Sequence, residues 1–163
     1  MNKTRHLTYI TMLAALAIVI NLFESAFIPP IQFGIRFGLA NIIALITIKM
    51  FTVKDMVVVN AMRVTIGNLL KGMIFGSPFW ISFFGVVFSS LAIIVCHKMK
   101  SSMIFTSIMS AIFHSFGQVV MVMFFYNQAN IIALLPVLVI SSIGTGVLTG
   151  LVAAQVLKRI RIR

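Results

Sequence analysis

Residues 55–71 read DMVVVNAMRVTIGNLLK. The run is apolar enough to sit in a membrane, yet it carries Asn60, Arg63, Asn68 and Lys71. At about 100° per residue, Asn60, Arg63, Gly67 and Lys71 fall on one side of a helix, with Asn68 beside them. A charge turned toward lipid costs roughly 2.5–3.5 kcal/mol on insertion scales. This stripe is therefore expected to face protein, water or a ligand.

The surrounding chain has the composition of an integral membrane protein. Of its 163 residues 61% are hydrophobic and only 9% charged, against about 25% charged in soluble domains. The mean hydropathy is +1.14. A formal net charge of +11 raises the question of nucleic acid. The basic residues, however, recur at the ends of apolar runs, where membrane proteins carry topology signals, so no nucleic-acid partner is expected. One cysteine, Cys96, supports neither a disulfide framework nor a cysteine metal site, and reads as a small apolar filler. The opening MNKTRHLTYITMLAALAIVI has the basic head and apolar run of a signal peptide. Yet residues 7–27 reach the roughly 20 needed to span, and no small-x-small cleavage site follows cleanly, so it reads as a retained first span.

Six spans are expected, at about 7–27, 37–51, 55–72, 79–96, 103–125 and 131–157, forming one all-α membrane domain over residues 1–163. Thr11, Ala14, Ala15 and Ala17 give the first span small surfaces for close packing. Its far end carries Asn21, Glu24 and Ser25. The connection IPPIQFGIRFG, residues 28–38, has two prolines and two glycines and reads as a turn or re-entrant piece. The second span is short, and unwound backbone at its start is tolerated only beside protein or a watered cavity. Phe79, Trp80, Phe83 and Phe84 open the fourth span as an interfacial aromatic belt or a ligand-stacking wall. In the fifth, Ser110, His114 and Gln118 share one face at steps of four. Pro136 is expected to break the sixth early, ahead of SSIGTGVLTG.

With both termini in the cytoplasm, the inner side holds Lys3, Arg5, Lys49, Lys54, Lys98, Lys100, Lys158, Arg159, Arg161 and Arg163. The outer side holds only Arg36 and Lys71. Such a bias supports an even number of spans in a bacterial-type cytoplasmic membrane. Helical rise then puts Glu24, Arg36 and Lys71 near the outer interface, with Arg63 roughly 12 Å deeper. Glu24 is expected to pair with Arg36 or Lys71, and Arg63 to use backbone carbonyls and Asn60. The remaining excess of buried cation points to an anionic ligand or to water.

Catalysis is not expected. The chain has no P-loop. Its two acids, Glu24 and Asp55, are predicted at opposite membrane faces and so hold no shared metal. No acid lies near His114 in sequence to build a triad, which leaves it a proton-relay group or a hydrogen-bonded core histidine.

Five stretches in order carry a family resemblance: LFESAFIPP (22–30), FGIRFGLANIIAL (33–45), RVTIGNLLKGMIFGSP (63–78), HSFGQ (114–118) and GTGVLTG (144–150). Together they resemble the heptaprenyl diphosphate synthase component I family, also called the Gx transporter family. That family is similar in size and topology to the substrate-binding S components of energy-coupling factor transporters. The resemblance implies a six-helix bundle that binds a vitamin-like molecule in its outer half, under the loop between spans one and two. It also implies docking on a transmembrane coupling protein with two ATPases. S components often present an Ala-x-x-x-Ala face on span one, of which Thr11 and Ala15 give an approximate version. Prenyl synthases use aspartate-rich motifs, and this chain has none.

The expected function is thus membrane capture of a small anionic or amphipathic molecule for uptake. Arg36, Asn41, Arg63, Asn68 and Lys71 would meet the anion, Glu24 would act as counter-ion or ligand, and His114 and Gln118 would orient it. The alternative is a non-catalytic membrane subunit that accompanies a soluble prenyl synthase or serves quinone metabolism. Neither reading calls for a cofactor.

Overall fold

The computed structural model describes residues 2–27 and 39–160. The connection at residues 28–38, Arg36 included, lies outside them. The described chain forms α1 (Lys3–Phe27), α2 (Asn41–Met50), α3 (Val53–Leu70), α4 (Ser77–Lys98), α5 (Met103–Tyr126), a 3-10 segment (Ala129–Leu134) and α6 (Leu135–Arg159). Four of the runs are long and apolar enough to cross a membrane: α1, α4, α5, and the 3-10 segment with α6. The 10 residues of α2 rise about 15 Å, half of a hydrocarbon core of roughly 30 Å. The 18 residues of α3 carry Lys54, Asp55 and Arg63.

Local chemistry sets the helix ends. Thr52 Oγ1 accepts from the Asp55 backbone N–H at 3.3 Å, and Asp55 Oδ2 accepts from the Thr52 N–H at 3.0 Å. This reciprocal capping box satisfies two otherwise orphaned donors at the start of α3. Ser102 Oγ plays the accepting role for Phe105 N–H at the start of α5, and Asn127 ends that helix in the left-handed region, with φ 49°. The last span, Ala129–Arg159, is interrupted early, as expected from Pro136: its 3-10 segment gives way to α6 at Leu135. Pro136 lies in the first turn of α6, where the missing N–H would have had no intrahelical partner.

Cross-chain contacts show that the helices alternate in direction. His6 Nε2 lies 3.2 Å from Asp55 Oδ2, and its ring meets the edge of Phe51 at 5.5 Å, which joins the start of α1 to the end of α2 and the start of α3. At the opposite end Lys71 Nζ donates to Asn21 Oδ1, and the hydroxyls of Ser77 and Tyr126 approach to 3.5 Å. Antiparallel to α5, α6 brings Gly146 against Ile108 and Gly150 against Ile104. A Cβ on Gly146 would lie 2.7 Å from Ile108 Cα, so this glycine pair serves close packing inside the chain. Alternation gathers Lys3, Arg5, Lys49, Lys54, Lys98, Lys100, Lys158 and Arg159 at one end.

The short α2 lies in the middle, in contact with α1, α3, α4, α5 and α6. Ile43, Ala44, Leu45, Ile46 and Ile48 are all buried. A helix that is apolar all round belongs where neighbours cover every side. Ile10, Ala14 and Ala17 of α1, Met56 and Val59 of α3, Ile93 of α4 and Ala153 of α6 complete the packed cluster around it. Its first residue, Asn41, points the polar end of α2 away from that cluster and toward the stripe on α3.

Candidate functional site

The stripe on α3 faces inward. Asn60, Arg63, Gly67 and Asn68 are buried, Arg63 being 2% exposed, and Lys71 is half-buried. Gly67 makes this possible. A Cβ there would sit 3.1 Å from Asn21 Oδ1, so the bare glycine lets α1 close on α3. One turn further on, Lys71 Nζ donates to the same Asn21 oxygen.

Arg63 finds a different partner from the expected one. Its Nη2 donates to Asn41 Oδ1 at 3.0 Å, because the central α2 brings its first residue over the middle of α3. Asn60 instead turns its Nδ2 to Ser90 Oγ at 2.8 Å and to Met56 Sδ at 3.3 Å. Glu24 is 2% exposed and accepts from the Leu39 backbone N–H at 3.1 Å. It lines the same cavity as Arg63, and its carboxylate attracts the guanidinium there. Counting backbone rise separated the two along the bundle, yet both side chains reach the wall of this one cavity. Burying such a cation is costly without an opposite charge nearby.

From α5 come His114 and Gln118, both buried, with their Nε2 atoms 3.2 Å apart. Room for the pair is made by Gly85 on α4. A Cβ at that position would fall 2.9 Å from both Gln118 Cγ and His114 Cε1.

Glu24, Arg63, Asn68, His114 and Gln118 thus converge on one cavity, with Asn21, Ala40, Val64, Ser82 and Val86 completing its wall. Asn41 joins through Arg63, and Lys71 through Asn21. Arg36 lies outside the described residues. Sequence reasoning missed Asn21 and Ser82 as wall residues and Gly85 as the residue that makes space. Asn21 was legible in principle, three residues before Glu24 and so on the same helical face.

The cavity holds about 20 Å³, the room of a single water. Around it, Arg63 Nε, Asn41 Nδ2 and Asn68 Oδ1 are buried with no hydrogen-bond partner among the described residues, as is His114 Nδ1 on the side of its ring toward Gly85. Native interiors leave few such groups unpaired. Two donors, one of them cationic, and one amide acceptor suit an anionic oxygen together with a hydroxyl or water. The second carboxylate of the chain, Asp55, is at the opposite end with Thr52 and His6, and does not join Glu24.

No curated protein and no solved structure matches the chain. A family model does match, over residues 13–156, a range that takes in every residue lining the cavity. The chain belongs to the family described as heptaprenyl diphosphate synthase component I.

Proposed function

We propose that the chain is a membrane-embedded capture subunit that binds a small anionic or amphipathic molecule and delivers it for uptake. The family description supports a membrane-associated subunit, and four long apolar helices accord with that. The observation that carries the finer reading is the convergence of Glu24, Arg63, Asn68, His114 and Gln118 on one buried cavity whose nearby donors have no partner. In this reading Arg63, with Asn41, meets the anionic oxygen. Glu24 keeps the empty site electrically balanced. Asn68 and the His114–Gln118 pair set the orientation of the head, and Lys71 and Arg36 attract the anion at the mouth.

The full arrangement is a single six-span domain over residues 1–163, with α2 and α3 as the shorter spans and both termini cytoplasmic. Gathering of the basic residues at one end supports that orientation. The polar cavity then opens toward the outside, where an uptake protein first meets its cargo. Energy must come from a partner, such as a coupling protein with ATPases. Thr11 and Ala15 are exposed on α1 and available for that contact.

A second reading has support from the family description itself, which names a component of a prenyl synthase. There the chain would accompany a soluble catalytic partner at the membrane without catalysing the reaction itself.

The test is native mass spectrometry of protein gently extracted with what co-purifies, beside inorganic pyrophosphate titrated onto wild type and Arg63→Gln. Uptake predicts a bound small anion and ATPase partners, with binding at least about tenfold weaker in R63Q, the worth of one charge-assisted contact. A soluble synthase as the co-purifying partner would favour the second reading, and unchanged affinity in R63Q would remove Arg63 from the site.

A further inference from the structure

Beside the polar cavity runs a second hollow, a groove of about 310 Å³ between α3 and α4. Its wall is almost wholly apolar, made by Val57, Ala61, Val87, Leu91 and Ile94, with Phe83 at one side. Asn60 and Ser90 lie within the lining, bonded to each other at 2.8 Å. Val64 and Val86 line both hollows, one from each helix, and belong to one buried cluster, so they form the partition that a ligand using both spaces would have to part.

The two spaces divide the properties of a binding site between them. The polar cavity has charge and unpartnered donors but room for only one water. Small-molecule sites run from roughly 300 to 1,000 Å³, so the groove has the room, but it carries no charge and only Asn60, Thr65 and Ser90 as polar lining residues. Any head that enters the cavity must displace side chains from a space that now takes one water, and a ligand that used the groove alone would leave Arg63 Nε and Asn41 Nδ2 unmet. Only a ligand with a polar end and an apolar body satisfies both.

We infer that the ligand is an amphiphile with an anionic head and one apolar chain, the head oxygen at Arg63 and the chain passing between Val64 and Val86 into the α3–α4 groove. This deepens the capture reading proposed above and rests on it. An ordinary hydrocarbon tail of the bilayer would fill the groove without reaching the arginine. The groove opens sideways from the bundle, so the chain enters from the membrane while the head is drawn to the buried cation.

The experiment uses full-length protein in phosphatidylcholine nanodiscs, with ethyl phosphate and dodecyl phosphate as probes and dodecanol as the headless competitor. Ala61→Phe fills the groove from an exposed position on α3, and Val87→Phe fills it from α4. Both are compared with wild type, which cancels partition of the probe into the bilayer. The expected result is that either plug weakens dodecyl phosphate by at least about tenfold, the cost of forcing the chain into a space the plug already fills. Ethyl phosphate should stay within about twofold, which also shows that the variants fold. Arg63→Gln should weaken both phosphates, and dodecanol should not compete. If both plugs leave dodecyl phosphate unchanged while R63Q weakens both probes, the chain does not use the groove and only the head reading survives. If dodecanol competes as well as dodecyl phosphate, the groove is a lipid seat and the inference is overturned. If R63Q changes neither probe, or wild type binds neither, the head reading falls and this inference falls with it.

Discussion

The two ends of the molecule solve burial in opposite ways. At the basic end apolar groups pack and polar groups are matched. Ile10, Ala14 and Ala17 close on α2, while Thr52, Asp55 and His6 hold one another. One buried atom there, His97 Nδ1, lacks a partner among the described residues. At the far end the same helices bring Glu24, Asn41, Arg63, Asn68, His114 and Gln118 inward, and leave four polar atoms of these residues without a hydrogen-bond partner among the described residues, around a space for one water. A core that needed only to be stable would resemble the first end throughout. Under the proposed capture reading, the far end forgoes some stability to keep polar groups ready for a ligand.

The largest break in that contrast should come from Glu24→Gln. Removing the carboxylate leaves Arg63 buried without the opposite charge on its cavity wall; the two are not within ion-pair distance, so the loss should reach about 3 kcal/mol, the lower end for a broken buried pair. The double variant Glu24→Gln/Arg63→Met should recover most of it, because the uncompensated charge is then gone. Thermal melting of the detergent-solubilised proteins checks the cycle. A double variant no more stable than E24Q would mean that Glu24 acts through partners other than Arg63.

Next in size is a change at the packed end. Ala17 is fully buried between α1 and the central cluster, so Ala17→Leu forces extra methylenes into a filled space and should cost about 1–3 kcal/mol. Within a bilayer the transfer from water contributes nothing to such contacts, and the penalty is one of fit. The prediction that separates the ends is that binding at the far end survives A17L wherever the protein remains folded. Asp55→Ala should act at the same end and more weakly. It removes the reciprocal acceptor of the capping box and the contact with His6, a loss of about 1 kcal/mol in melting experiments.

How much of this was legible beforehand follows from the kind of regularity involved. The inward stripe on α3 and the His114–Gln118 pair are matters of period, and a period of 3.6 can be read from one chain. The central position of α2 is not. Ten apolar residues suit a buried helix and a piece of a span equally well, and only the contacts of the other five helices decide. That one fact also decides the partner of Arg63, since Asn41 reaches the guanidinium only from a helix in the middle. Gly85 escaped for a related reason. A single glycine in FFGVVF gives no sign of which side chains from another helix will occupy its place. Pro136 marked the early interruption of the last span, but not that the turn before it is 3-10 and that the α-helix starts at Leu135.

The smallest effect on stability should be the most informative about purpose. Asn68 is 2% exposed, and its Nδ2 donates only back to the carbonyl of Val64 in its own helix at 2.8 Å, while Oδ1 has no partner among the described residues. Leucine has nearly the same shape and no polar atom to leave unsatisfied. Replacing an unsatisfied buried polar group by an apolar one of like shape is close to neutral, or stabilising by up to about 1 kcal/mol. Asn68→Leu should therefore melt at the same temperature as wild type or slightly higher. If the amide is there for a ligand, the same variant should bind an anionic probe at least about tenfold more weakly, since the head would lose its hydrogen-bond partner. Melting and titration on one preparation decide between the two roles. A variant that gains stability and keeps full binding would make Asn68 a tolerated defect of packing. A variant that is clearly destabilised would mean the amide is held by groups that act on the fold, and the contrast between the two ends would be weaker than the unmatched atoms imply.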